Sequence, residues 1–250
     1  MHTAQGVSSQ LLNRAVDLAV LTQLKQKADE WYVRIDELNQ LHGAFEVAKL
    51  LPAETNYLPT ASSIALKAVM SPDVLIKVLS AELKQLITKQ LGREARCNTD
   101  IAWLRRQYPA RYNMPVASPH GWHQDGAYGI DFSNITDSSD LALLPMLTVW
   151  LPLHPCGENA PGIELIQDSP KTALLPSQLQ HSEIEKRWGE ESCWRPTMKP
   201  GDALVIASHT LHRTYTTDAM TDFRGCVELR FLARQTYPTR LDHNQYVPLT

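Results

Sequence analysis

The spacing of apolar positions divides the chain into two textures. Up to about residue 100 the apolar residues recur every three or four positions. Leu12, Val16, Ala19 and Leu24 predict an amphipathic helix opening near Leu12. Val74, Leu75, Val78, Leu79, Leu83, Leu86, Ile87 and Leu91 predict one further helix, with Ser71 as N-cap, Pro72 in its first turn and Gly92 as its stop. Between them "LPAETNYLPT", residues 51–60, is punctuated by proline and reads as a loop. Beyond residue 100, short runs rich in β-formers take over. Residues 146–153, 162–168, 202–207 and 225–233 predict strands, and 176–191 a helical insertion between them. Short strands with irregular loops, and no βαβ alternation, predict a sandwich or jelly-roll barrel.

Composition narrows the function classes only modestly. A 250-residue chain with 43% hydrophobic and 20% charged residues is ordinary for a globular protein that needs neither metal nor disulfide to fold. The net charge of −3 leaves no basic footprint for nucleic acid. No apolar run is long enough for a membrane span, and no basic-then-apolar leader is evident, so a cytoplasmic location is expected. Cys97, Cys156, Cys193 and Cys226 form no CxxC pair and read as free thiols.

The candidate chemistry starts at "GWHQDGAYG", residues 121–129. On an extended segment His123 and Asp125 share a face and can meet one ion. The other His-x-carboxylate, His181 and Glu183, sits on the predicted helix, where residues two apart point in different directions. It reads as solvated surface. Further along, "GDALVIASHTLHRTY" supplies His209 and His212 as third-ligand candidates. Two histidines and a carboxylate leave three positions open on an octahedral ion, the donor set of non-haem Fe(II) oxygenases. A zinc hydrolase is disfavoured because no HExxH helix is present.

"WHQDGAYG", "VWLPLHPCGENAPGIELI", "KPGDALVIASHTLHRTY" and "FRGCVELRF" occur in this order, and over residues 108–235 the chain resembles the phytanoyl-CoA dioxygenase family of Fe(II)/2-oxoglutarate-dependent oxygenases. The resemblance implies an α+β chain with a mainly-β core. That core is a double-stranded β-helix, a cupin-like jelly roll, with N-terminal helices packed outside. It implies iron held by His123, Asp125 and His212, the last chosen over His209 by its distance from the Gly201–Asp202 turn. It implies Arg224 as anchor of the far carboxylate of 2-oxoglutarate, a role suited to a bidentate guanidinium, with Thr214 beside it. Strand parity puts Arg224, Cys226, Glu228 and Arg230 on one face and Val227, Leu229 and Phe231 on the other. Arg230 is the competing arginine, and Glu228 is its expected partner. Tyr128 and Trp150 are expected to line a substrate pocket.

The resulting expectation is a single oxygenase domain over residues 1–250. It has a mostly helical part at 1–100, a catalytic core at 101–235 and a tail at 236–250. The expected cofactors are Fe(II), 2-oxoglutarate and O2. The expected partner is a small-molecule substrate, with neither nucleic acid nor membrane, in a monomer or homodimer. The expected reaction oxidises an unactivated C–H, most simply by hydroxylation, as in natural-product metabolism, with release of succinate and CO2. The alternative is a cupin-like metal- or ligand-binding protein that has lost catalysis or does not use 2-oxoglutarate.

Overall fold

The computed structural model describes residues 9–112, 118–139, 141–236, 238, 241 and 245–249. Its longest strand, Arg224–Leu232, organises the rest. In chain order the strands are β1 (Gln10–Leu12), β2 (Ser63–Ala65), β3 (Arg96–Asn98), β4 (Trp103–Gln107), β5 (Met146–Pro152), β6 (Gly162–Ile166), β7 (Cys193–Trp194), β8 (Ala203–Ala207), β9 (Leu211–Tyr215), β10 (Arg224–Leu232) and β11 (Tyr246–Pro248). Among the described residues, β10 lies between β5 on one side and β3 and β4 on the other, in an eight-stranded antiparallel sheet. A second sheet of three strands runs β7-β6-β9. The two sheets are separate layers and do not close into one continuous barrel.

Alternation along β10 assigns the two faces of the large sheet. Val227, Leu229 and Phe231 face outward with Val149 and Leu151 of β5 and Leu104 of β4. Of the helices α1 (Leu18–His42), α2 (Ala44–Leu50), α3 (Leu66–Val69), α4 (Pro72–Lys77), α5 (Ala81–Leu91) and α6 (His181–Trp188), α1 and α5 bury Leu21, Leu24, Ile35, Leu83 and Ile87 on this side. Cys226 faces inward with Trp150, Leu204 and Ile206, against Ile163 and Leu165 of the small sheet. The mainly-β core with helices outside is therefore present, and the inner space between the sheets is where a ligand can sit.

Three sequence expectations are corrected. Residues 10–12 form β1, which pairs with β8, and α1 begins only at Leu18. Asp17 caps it, its Oδ1 accepting from the Ala19 and Val20 amides at 2.9 and 3.1 Å. The expected helix over 74–91 is two helices, α4 (Pro72–Lys77) and α5. Tertiary pairing overrides helical periodicity there. The Asp17 amide donates to the Val78 carbonyl, the Ser80 amide to the Ala15 carbonyl, and Ser80 caps α5. Finally, the first hundred residues also supply β2 and β3, and the tail contributes β11, which pairs with β3. The insertion is a 3-10 turn followed by helix His181–Trp188, as its sequence suggests.

Candidate metal centre

The segment bearing His123 and the start of β9 are joined by a reciprocal backbone bridge. The His123 amide donates to the His212 carbonyl and the His212 amide to the His123 carbonyl, each at 3.0 Å. Just after the bridge the chain does not stay extended, as the sequence suggests, but turns into a 3-10 helix at Asp125–Ala127. The side chain of Gln124 drives that turn. Its amide nitrogen donates to the Pro170, Thr172 and His209 carbonyls, and its oxygen accepts from the Leu174 amide. Gln124 thus faces away from its neighbours, and His123 and Asp125 converge on the inner side.

Ligand atoms of His123, Asp125 and His212 all lie within 4.8 Å of one another. Both imidazoles are oriented from behind. His123 Nδ1 contacts the Gly121 carbonyl at 2.8 Å and His212 Nδ1 the Thr210 carbonyl at 2.9 Å. A carbonyl accepts only, so each Nδ1 carries the proton and each Nε2 offers a lone pair. Each Nε2 stands 3.8 Å from an Asp125 carboxylate oxygen. Burial, with the neighbouring His212 and His120, pushes His123 well below the usual histidine value, which favours the neutral ligand form. Burial alone would raise Asp125. Arg230, then His212 and His123, reverse this and hold it far below the usual carboxylate range. Arg230 Nη2 donates to Asp125 Oδ1 at 3.3 Å, and the Thr148 hydroxyl donates to Oδ2. These three residues fit a divalent ion in both donor chemistry and orientation.

The cavity at this cluster is small, about 10 Å³, bordered by Arg105, His120, Trp150, Thr214, Glu228 and Arg230 among others. A larger cavity of about 610 Å³, lined by Tyr108, His154 and Phe223, lies apart from the cluster and contains none of its three residues. The smaller one is where the donor groups converge, so the chemistry belongs there.

The remaining candidates fall as follows. Trp150 borders the cavity and is fully buried. Thr214 borders it as well. Arg224 is 1% exposed, its guanidinium 4.8 Å from the Trp150 ring, with Nη1 at 2.7 Å from Cys226 Sγ. Among the described residues no carboxylate lies within ion-pair distance of it, and its Nε has no hydrogen-bond partner. Tyr128 is 44% exposed, follows the turn at Asp125–Ala127 and, like Arg224, is not among the residues that border this cavity. His209 contributes its backbone carbonyl to Gln124 and stays outside the cluster. Sequence reasoning missed Arg105, Thr148 and the placement of His120, whose ring lies 4.0 Å from that of His123. Only the parity of β4 and β5 against β10 could have pointed to the first two.

A family model described as "Phytanoyl-CoA dioxygenase (PhyH)" matches residues 12–222, ending two residues before Arg224. No curated protein matches the chain in sequence. Solved structures match its fold. EctD from S. alaskensis with bound Fe is 16% identical, with 94% of this chain and 75% of that one covered and a TM-score of 0.62. The same protein with 2-oxoglutarate and 5-hydroxyectoine also gives 16% identity, 94% and 74% coverage and a TM-score of 0.62. AviO1 from Streptomyces viridochromogenes Tue57 is 14% identical, with 92% of each chain covered and a TM-score of 0.59.

Proposed function

The chain belongs to the phytanoyl-CoA dioxygenase family, and from that premise we propose that it is an Fe(II)/2-oxoglutarate-dependent dioxygenase that hydroxylates an unactivated C–H of a small molecule. His123, Asp125 and His212 hold the metal. Arg224 and Thr214 receive the far carboxylate of 2-oxoglutarate.

The observation that carries this reading is the arrangement around Trp150. A two-histidine, one-carboxylate set and Trp150 border one cavity, while an unpaired buried guanidinium stacks on the Trp150 ring. Burying a charge without a counter-ion is costly, so Arg224 is built to meet an anion. The Trp150 Nε1 is also buried without a partner and adds a second donor. EctD, which shares the fold, is described with bound Fe and with 2-oxoglutarate.

Fe(II) and 2-oxoglutarate held there would supply, with O2, the oxidising chemistry, with succinate and CO2 as co-products. The chain's own residues do the placing. The carbonyls of Gly121 and Thr210 fix which imidazole nitrogens face the metal. Arg230 and Thr148 fix the Asp125 carboxylate. Trp150, Ile163 and Ile206 exclude water from the inner space.

Anaerobic addition of Fe(II) and 2-oxoglutarate tests the reading. A weak visible charge-transfer band is expected, and on exposure to O2 succinate forms only with Fe(II) present. His123→Ala, Asp125→Ala and His212→Ala each abolish succinate formation. Arg224→Gln raises the 2-oxoglutarate requirement roughly 10- to 100-fold, the loss of one charged hydrogen-bonded contact. Metal binding with no band and no succinate would instead indicate a cupin-like protein that does not use 2-oxoglutarate.

A further inference from the structure

The inner face of the large sheet carries more positive charge than the proposed reaction uses. β10 contributes Arg224, Glu228 and Arg230, and β4 contributes Arg105, placed opposite Cys226 and so on the same face. Among the described residues Glu228 is the one carboxylate that meets Arg105, at 3.5 Å, and it also meets Arg230 at 3.2 Å. Arg230 has Asp125 and the Ile101 carbonyl as further partners. Arg213 borders the cavity too, but its guanidinium turns away onto Glu164 and the Trp122 ring.

A divalent metal and a doubly charged keto acid cancel one another. Asp125 and Glu228 then balance two of the three guanidiniums, Arg105, Arg224 and Arg230, and one positive charge is left. Arg224 is the proposed cosubstrate anchor, and Arg230 spans both carboxylates. The excess therefore falls on Arg105. Its side chain is 14% exposed, borders the cavity of the metal cluster and keeps its Nε buried without a hydrogen-bond partner. An enclosed guanidinium with a spare donor edge and half of one carboxylate is a receptor for a second carboxylate.

We infer that Arg105 receives a carboxylate of the substrate, so the substrate is a small organic acid that is oxidised at a carbon held between that carboxylate and the metal cluster. This rests on the oxygenase reading. It sets Arg105 apart as the specificity-determining residue, with Glu228 as the built-in competitor for its guanidinium.

The test uses the full chain loaded anaerobically with Fe(II) and saturating 2-oxoglutarate. Failure to form that complex would sink the oxygenase reading itself, and this inference with it. On the formed complex, matched acids and amides are titrated: propionate and propionamide, benzoate and benzamide, phenylacetate and phenylacetamide, L-proline and L-prolinamide. Perturbation of the charge-transfer band and the shift in thermal midpoint are read. Acids are expected to bind and their amides to bind about tenfold or more weakly. Arg105→Gln removes that discrimination while the metal–cosubstrate band persists, and Arg105→Lys retains part of it. Glu228→Gln frees Arg105 and tightens acid binding, a gain that a merely structural role of the pair does not predict. Equal binding of acid and amide, no binding by any acid, unchanged discrimination in Arg105→Gln, or weakened acid binding in Glu228→Gln would each overturn the inference.

Discussion

Asp125 illustrates how much of a carboxylate's behaviour is set by its neighbours. Its two oxygens are held separately, Oδ1 by Arg230 and Oδ2 by Thr148. Arg230→Met removes the strongest of the charges that keep the carboxylate ionised and leaves Oδ1 without its donor, with Thr148 alone on Oδ2. Mn(II) affinity, measured by electron paramagnetic resonance, is expected to fall roughly 10- to 100-fold, the usual effect of losing such support. Gly126 is equally constrained by its surroundings. Its amide donates to the Ser208 carbonyl at 2.8 Å, and an added Cβ would lie 2.9 Å from that oxygen and from the Leu143 and Ser208 Cβ atoms. Gly126→Ala is expected to cost about 1–3 kcal/mol through overpacking against backbone, read as a lowered thermal midpoint. The His-x-Asp spacing nominated His123 and Asp125 because a local motif is short. Thr148 and Arg230 carry no such local signal as supports of Asp125, nor Arg105 as a neighbour of the cluster, because they sit on three separate strands. Only the register of β4, β5 and β10 brings them together.

The elements divide in the same way. Strand β10 could be read from its alternation, since its two faces bury chemically different partners. The break between α4 and α5 could not. The apolar stripe runs on through Val78 and Leu79, and the helix stops because residues 15–17 compete for those backbone groups. The junction of β5 and β10 adds a pH-dependent element. His154 Nδ1 accepts the Gly225 amide at 3.0 Å, a bond that needs the unprotonated ring. Burial, then the charge of Lys25, lowers His154 below 6.5. In the window below 6.5 the unfolded chain takes up a proton that the folded chain refuses. Stability therefore falls as the pH falls through that window. Thermal unfolding from pH 7.5 to about 5 is expected to be less pH-dependent in His154→Gln than in the parent.

For the molecule as a whole, the helices at Leu18–His42 and Ala81–Leu91 cover the large sheet, and the outer side of the small sheet is covered separately. Its outward side carries Glu164, fully buried and clasped by Arg195 and Arg213, while Ile184 of the helical insertion packs with Ile166 and Leu211 of the same sheet. Glu164→Gln leaves two guanidiniums without their shared carboxylate. Both are partly exposed, at 29% and 24%, so a loss near the low end for broken buried pairs, about 3 kcal/mol, is expected in denaturant unfolding. The jelly-roll expectation followed from short strands without βαβ alternation and from the family resemblance. That the insertion roofs the small sheet was not readable, because a solvated helix and a covering helix have the same amphipathic pattern.

The reciprocal backbone pair between His123 and His212 has a consequence for how this chain tolerates change. The two positions are 89 residues apart (212 − 123), yet their separation in space is set by two hydrogen bonds rather than by the chain between them. Lengthening that chain adds little entropic cost, about 0.6 kcal/mol for each doubling of a flexible loop. The mostly exposed stretch 131–137 is therefore a natural place for an inserted segment or a whole grafted module. Such a chimera would acquire a new partner surface while the spacing of His123 and His212 stayed that of the parent.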